Sequence, residues 1–312
     1  MTRTQTLAAG AAVVPEAATP QTRRRRPALP YLLLAPAALI LALVIGYPLV
    51  RLVLISFQDY GLRALFTGRT RWTGVTNYTA VLHGDEIGPM LFRTALVCVA
   101  MAGGTLAIGT GVALAMRALG RRMRTLVTFC LIAAWAVPNV AATMLWTWLF
   151  QPTYGVVNWL LGLGQYDWTA HTVSALLLVW LLVVWQSVPF VALTLYAGLS
   201  QIPSDYYEAA ALDGAGYWTR FRVVTVPFLR PILLLVTVLS VIWDFNVFNQ
   251  IWLLTGGGPD GGTTTLVVWS FRRAFASQSY GQGAAIAVLA TALLAALTWY
   301  YVRRLVRAGE TW

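Results

Sequence analysis

The sequence predicts an all-α membrane protein of six transmembrane helices, and three observations carry that prediction. Hydrophobic residues make up 58% of the 312-residue chain and charged residues only 11%, with a mean hydropathy of +0.67, outside the range of soluble domains. Runs long enough to cross about 30 Å of hydrocarbon, roughly 20 helical residues, recur at 31–50, 94–116, 126–149, 173–199, 232–254 (one acid inside) and 283–302. The arginines are placed asymmetrically. With both termini cytoplasmic, Arg23 to Arg26, Arg117, Arg121, Arg122, Arg124, Arg220, Arg222, Arg230, Arg303, Arg304 and Arg307 fall inside; fewer, Arg63, Arg69, Arg71, Arg93, Arg272 and Arg273, fall outside. That is the positive-inside pattern. It accounts for most of the net charge of +11, so the high charge does not call for a nucleic-acid partner.

Taken in order, residues 1–29 are rich in Ala, Thr, Pro and Arg with no apolar run before the arginine cluster, which predicts a disordered cytoplasmic tail rather than a cleaved signal. Residues 30–90 then form the first helix, with Pro36, Gly46 and Pro48 inside it, and a polar, aromatic extracytoplasmic loop. Prolines in membrane helices predict kinks. The core follows over 91–302, and 303–312 form a cytoplasmic tail. In the second helix Gly103, Ala107, Gly111 and Ala115 recur every four residues, a row of small side chains suited to close helix packing. Trp146, Trp148, Trp159 and Trp168 stand where an interfacial aromatic belt is expected. Cys98 and Cys130 both fall in predicted spans, as small core residues.

Residues 204–231 break the apolar pattern. Ser204 or Asp205 can cap a short helix whose first turn holds Glu208; Ala209, Ala210 and Ala211 give it a narrow face, and Gly214 and Gly216 permit the turn that ends it. Pro227 and Pro231 redirect the chain into the fifth helix. A helix with such a face fits a groove in a partner.

This segment closely resembles the cytoplasmic EAA loop of permease subunits in binding-protein-dependent ATP-binding-cassette (ABC) importers: Glu208, Ala209 and Ala210, then Gly214, then Val226 and Pro227. Ile251–Pro259, Thr263–Leu266 and Tyr280–Gly283 resemble the Leu-Thr-x-Gly-Gly-Pro region of maltose-type carbohydrate permeases, and Trp135–Phe150 with Tyr154–Leu161 also looks like that branch. The resemblance implies a type I ABC importer transmembrane domain. It implies a multi-pass protein of a bacterial inner membrane, working with a second permease, two ATPase subunits and an extracytoplasmic sugar-binding protein. Glu208, Ala209, Ala210, Asp213, Gly214 and Pro227 are then ATPase-coupling residues. Matching along the two motifs places sugar contacts at Gln186, Ser187, Phe190, Ser240, Asp244 and Val247; Asp244 and Val247 depart from the asparagines of the maltose-type relative, which implies a different sugar or pose.

The residue chemistry agrees with a carrier rather than an enzyme. All 22 basic residues are arginine, so the phosphate-binding Gly-x4-Gly-Lys-[Ser/Thr] loop is absent, and ATP and Mg are expected on a partner. His83 and His171 stand alone, and no catalytic or metal-ligating cluster is visible. Asp244 is the one acid in the middle of an apolar run, costly there by about 2.5–3.5 kcal/mol. A substrate hydroxyl or a pairing within a partner helix would explain it. Sugar hydroxyls bond carboxylates and amides while sugar faces stack on aromatics, which favours this cargo over glycerol-phosphate-type solutes. A secondary transporter would need coupling groups and an internal repeat, and neither is evident.

Overall fold

The computed structural model describes residues 29–309; the N-terminal tail expected at 1–29 lies outside them except for its last residue, as does the end of the C-terminal one. Two compact units divide the chain between Leu49 and Val50. Helix α1 (Tyr31–Ser56) begins in the first. Up to Val50 it carries no charged residue and its large apolar side chains are exposed, as in a membrane span; Arg51 follows near its end. Its Pro48 does not break it: a π-turn at Ala42–Gly46 comes first, with the Tyr47 N–H bonded to the Ala42 carbonyl, and the widened ring absorbs the donor that proline lacks.

In the second unit, the segment expected as a polar, aromatic loop carries secondary structure. Strands β1 (Gln58–Asp59) and β2 (Arg71–Trp72) pair antiparallel around α2 (Leu62–Thr67), and α3 (Thr76–Leu82) follows. Asn77 Nδ2 donates to the Ser56 and Gln58 carbonyls at 2.9 Å each, and the Gly281 N–H to the Tyr60 carbonyl at 3.0 Å. A Cβ on Gly281 would lie 2.3 Å from the Gln58 carbonyl oxygen. The glycine thus admits the ribbon against the last helix.

The remaining spans are α4 (Ile87–Ala118), the broken pair α5 (Arg121–Trp135) and α6 (Asn139–Leu149), α8 (Thr172–Leu199), α10 (Tyr217–Phe245) and α13 (Tyr280–Gly309). Counting the broken pair once gives six spans among the described residues, as the apolar runs predict. Short helices α7 (Val156–Leu161), α9 (Ser204–Leu212), α11 (Asn249–Thr255) and α12 (Leu266–Phe271) join them.

Helices α4 and α8 form the axis. Gly104 lets Trp180 approach so closely that a Cβ would meet its ring at 2.5 Å, and Gly109 does the same for Val191 at 2.6 Å; Trp180 Nε1 donates to the Ala100 carbonyl at 2.8 Å. Thr105, Gly109 and Ala113 on this row are buried, and Gly104 is half-buried. The row predicted to pack, Gly103, Ala107, Gly111 and Ala115, instead lies exposed on the other face. Periodicity showed that a small-residue stripe exists but not which neighbour it meets. Around the axis, one apolar cluster joins α4, α6, α8, α11 and α12 through Met101, Ala142, Leu182, Ile251 and Val268, and another joins α4, α8 and α10 through Ala113, Leu195 and Leu229.

Of the predicted belt, Trp148 and Trp159 are exposed, but Trp146 stacks on Phe150 and meets Trp185, and Trp168 donates to Asn158 Oδ1 at 2.7 Å; these two pack the interior. Asn158 in turn donates to the Tyr166 carbonyl, closing the loop after α7. Nearby, Asp167 accepts from the Thr169 hydroxyl and N–H at 2.7 and 2.8 Å, which holds its carboxyl below the usual range. Cys98 is buried but Cys130 is exposed. Arg93 is no loop charge: it lies in α4 and donates to the Gly261 and Thr264 carbonyls at 2.6 and 3.2 Å, anchoring the glycine-rich turn.

Candidate functional site

Two breaks in the helices make the site. In the third span the chain bends by 96° between α5 and α6, where Pro138 precedes Asn139 and cannot continue the ladder. In the fifth, the apolar run at 232–254, predicted as one span, is two helices, and the span itself starts much earlier, at Tyr217. Asn246 explains the break. Its Nδ2 donates to the Ile242 carbonyl at 2.7 Å, taking the acceptor its own N–H would use in a continued helix, and that N–H turns to the Trp243 carbonyl at 3.1 Å. Asparagine competes with the backbone in this way. Irregular backbone at membrane depth is tolerated where it borders a cavity.

Such a cavity lies between the two breaks, with a volume of about 540 Å³, within the usual range for small-ligand sites of roughly 300–1,000 Å³. Gln186, Ser187, Phe190, Asp244 and Val247 all line it. Ser240 does not; it is buried one turn before Asp244. Asp244 sits in the last turn of α10 rather than in the middle of a span, 5% exposed, and its Oδ2 has no hydrogen-bond partner. A carboxylate at the negative end of a helix, buried and unpaired, is unfavourable on both counts. Among the described residues no arginine pairs with it; the single ion pair there is Arg273 with Glu86 at 2.7 Å.

The rest of the lining escaped the sequence reading in part. Gln250, on α11, donates from Nε2 to Gln186 Oε1 at 3.1 Å, leaving the Gln186 amide nitrogen and the Gln250 carbonyl oxygen available to a ligand. Asn249, inside the 232–254 run predicted as one span, also belongs to α11, and Asn139 opens α6; both line the cavity. Aromatic faces complete it: Phe190 meets Trp243 edge-on at 5.1 Å and Trp135 at 6.1 Å. The glycine-rich turn after α11 contributes no lining but positions that helix. Gly256 and Gly257 take φ of 60° and 88°, and the Thr264 hydroxyl donates to the Gly257 carbonyl at 2.8 Å, where a Cβ on Gly257 would clash at 2.6 Å. Among the described residues no group of three His, Cys, Asp or Glu side chains is placed to hold a metal.

The 204–231 segment forms a separate feature. Helix α9 runs Ser204–Leu212 after Pro203, with no side-chain cap: Ser204 is its first residue, Asp205 is the acid of the first turn, and Glu208 stands in the second. Glu208, Ala209, Ala211, Leu212, Asp213 and Gly214 are exposed, Leu212 at 91%, whereas Tyr207 and Ala210 pack against the core. Gly214 ends the helix at φ 77°. Pro227 is exposed and does not redirect the chain. α10 has already begun, and a π-turn at Phe221–Thr225, closed by the Val226 N–H on the Phe221 carbonyl, precedes the proline as at Pro48.

This arrangement of spans is the architecture of ABC importer permeases: a bacterial ABC transporter for import of the acidic polysaccharide alginate contains a chain that superposes with a TM-score of 0.73, at 18% identity, over 89% of this chain and 95% of its own. The diacetylchitobiose uptake system permease protein DasB of Streptomyces coelicolor is 44% identical over 90% of this chain and 88% of its own, and the trehalose/maltose transport system permease protein MalF of Thermococcus litoralis 31% over 91% and 96%. The chain belongs to the binding-protein-dependent transport system inner membrane component family, whose model matches residues 107–308. It is therefore a membrane transport component rather than an enzyme.

Proposed function

We propose that this chain is one of two permease subunits that import a neutral or amino sugar, or a short oligosaccharide, handed over by an extracytoplasmic binding protein. The observation that carries the reading is the buried, unpartnered Oδ2 of Asp244 on a cavity whose other groups are amides, a hydroxyl and aromatic faces. A carboxylate accepts sugar hydroxyls through charge-assisted hydrogen bonds and repels anions, which disfavours sugar phosphates. Gln186, Gln250, Asn139 and Asn249 offer both donors and acceptors, and Trp135, Phe190 and Trp243 offer stacking faces. Relatives named for diacetylchitobiose and trehalose/maltose uptake support a sugar cargo and make those disaccharides the first to test. The exposed side of α9, with Glu208, Ala209, Asp213 and Gly214, is the face that docks in the ATPase groove at the cytoplasmic side. ATP and Mg then reside on the two ATPase subunits, and their closure moves α9 and the spans rigidly joined to it between two access states.

Uptake of labelled disaccharides by membrane vesicles tests the site. Asp244→Ala should lower uptake about tenfold or more, the scale of a lost hydrogen bond to a charged group, while the assembled complex and the binding protein's own affinity stay intact; Asp244→Asn should keep part of the transport. Normal transport by Asp244→Ala, or loss only because the subunits no longer assemble, would place the sugar elsewhere.

A further inference from the structure

A second cavity, of about 410 Å³, lies where α4 ends and α10 begins, with Leu114, Arg117, Tyr207, Arg220, Phe221 and Thr225 in its wall. Its polar groups are partly organised already. Arg117 Nη1 donates to the Tyr207 hydroxyl, with the guanidinium 4.2 Å over that ring, and the Tyr207 hydroxyl meets Thr225 Oγ1 at 2.9 Å. Arg220 is different. Its Nε is buried and has no hydrogen-bond partner. Guanidinium cannot escape this by losing its proton; an acceptor from outside the chain would answer it, and two arginines make an anion the acceptor of choice.

The position identifies the anion. Arg117 is in the last turn of a 32-residue span and Arg220 near the start of a 29-residue one, so both stand at the boundary between hydrocarbon and water, where lipid phosphates lie. The wall is mixed accordingly, with Leu114 and Phe221 as apolar neighbours of the two guanidiniums. Arg121, Arg122 and Arg222 are exposed close by in sequence and add the positive field that draws anionic lipid to a juxtamembrane surface. Glu208 and Leu212, by contrast, are exposed while Tyr207 packs inward, so the docking face of α9 is not the one that turns Tyr207 towards this cavity.

We infer that the cavity binds the phosphate of an anionic phospholipid, with the Arg220 and Arg117 guanidiniums as donors, and that the lipid ties α9 to the ends of α4 and α10. The inference stands whether or not the cargo is a sugar. Lipid retention by the full-length chain, with whatever subunits copurify, tests it by native mass spectrometry after exchange into phosphatidylglycerol or phosphatidylcholine. Phosphatidylglycerol should be retained selectively. Arg117→Gln and Arg220→Gln should each weaken it about tenfold, the scale of a lost charge-assisted hydrogen bond, Arg220→Lys should keep the fold and lose part of the binding, and Arg222→Gln, which only thins the surrounding field, should weaken it far less than either. Equal retention by wild type and Arg220→Gln, or equal binding of the two lipids, overturns the inference. So does occupancy by inorganic phosphate in place of lipid, or displacement of the lipid by an acidic residue of a bound ATPase subunit cross-linked to this site.

Discussion

Adjacent glycines in α4 have opposite environments. A methyl group on Gly104 meets the Trp180 ring at 2.5 Å, whereas around Gly103 there is nothing within 4 Å. Gly104→Ala should therefore destabilise the chain by about 1–3 kcal/mol, the usual cost of overpacking, because the Trp180 indole is also held by its bond to the Ala100 carbonyl. Gly103→Ala should leave the thermal midpoint of the purified chain unchanged. Comparing the two melting curves checks the assignment of faces, and equal destabilisation would contradict it. Asp244 shows how far single residues were legible: an acid in an apolar run announces itself, and its cavity followed. Gln250 and Asn139 gave no such signal, because an amide at a helix end reads as an ordinary cap or turn until the neighbouring helix is in place.

At the scale of elements, long apolar runs translate directly into spans because the bilayer sets their length. Where they end is decided by finer competition. The run at 232–254 has no proline to mark its interruption; the break comes from the Asn246 side chain taking the Ile242 carbonyl. Conversely, Pro48 and Pro227 look like breakers but sit just past π-turns that keep the helix continuous. Helix α9 carries the element-scale prediction. Gly214 at φ 77° admits a larger residue only at about 1–2 kcal/mol, so Gly214→Asp should misdirect the exposed face, and Glu208→Ala should remove its central charge. Both variants should abolish uptake with loss of the ATPase subunit or of stimulated hydrolysis. Normal uptake with stoichiometric ATPase in both would show that α9 is only a connector.

For the molecule as a whole, division of labour is the main expectation. A chain with no lysine has no phosphate-cradling loop of the Walker type, so the purified subunit alone should neither bind nor hydrolyse ATP, and photoaffinity labelling with an ATP analogue should leave it unmarked. Labelling in the absence of partners would refute this. The broad architecture was legible from composition and run length. The register of α4 against α8 was not, since two rows of small residues share that helix and only the Trp180 and Val191 contacts tell them apart.

The contrast between the two cysteines has a practical consequence. Cys98 is buried, with its Sγ 3.6 Å from the Val241 carbonyl oxygen, while Cys130 is exposed on α5. Thiol reagents select by access, so a membrane-permeant reagent should label Cys130 and spare Cys98. A spin label or fluorophore attached without any mutagenesis reports from the helix that ends at the 96° bend, beside the cavity of Asp244. Its mobility and its distance to a second labelled subunit then give a direct optical or magnetic readout of the transport cycle.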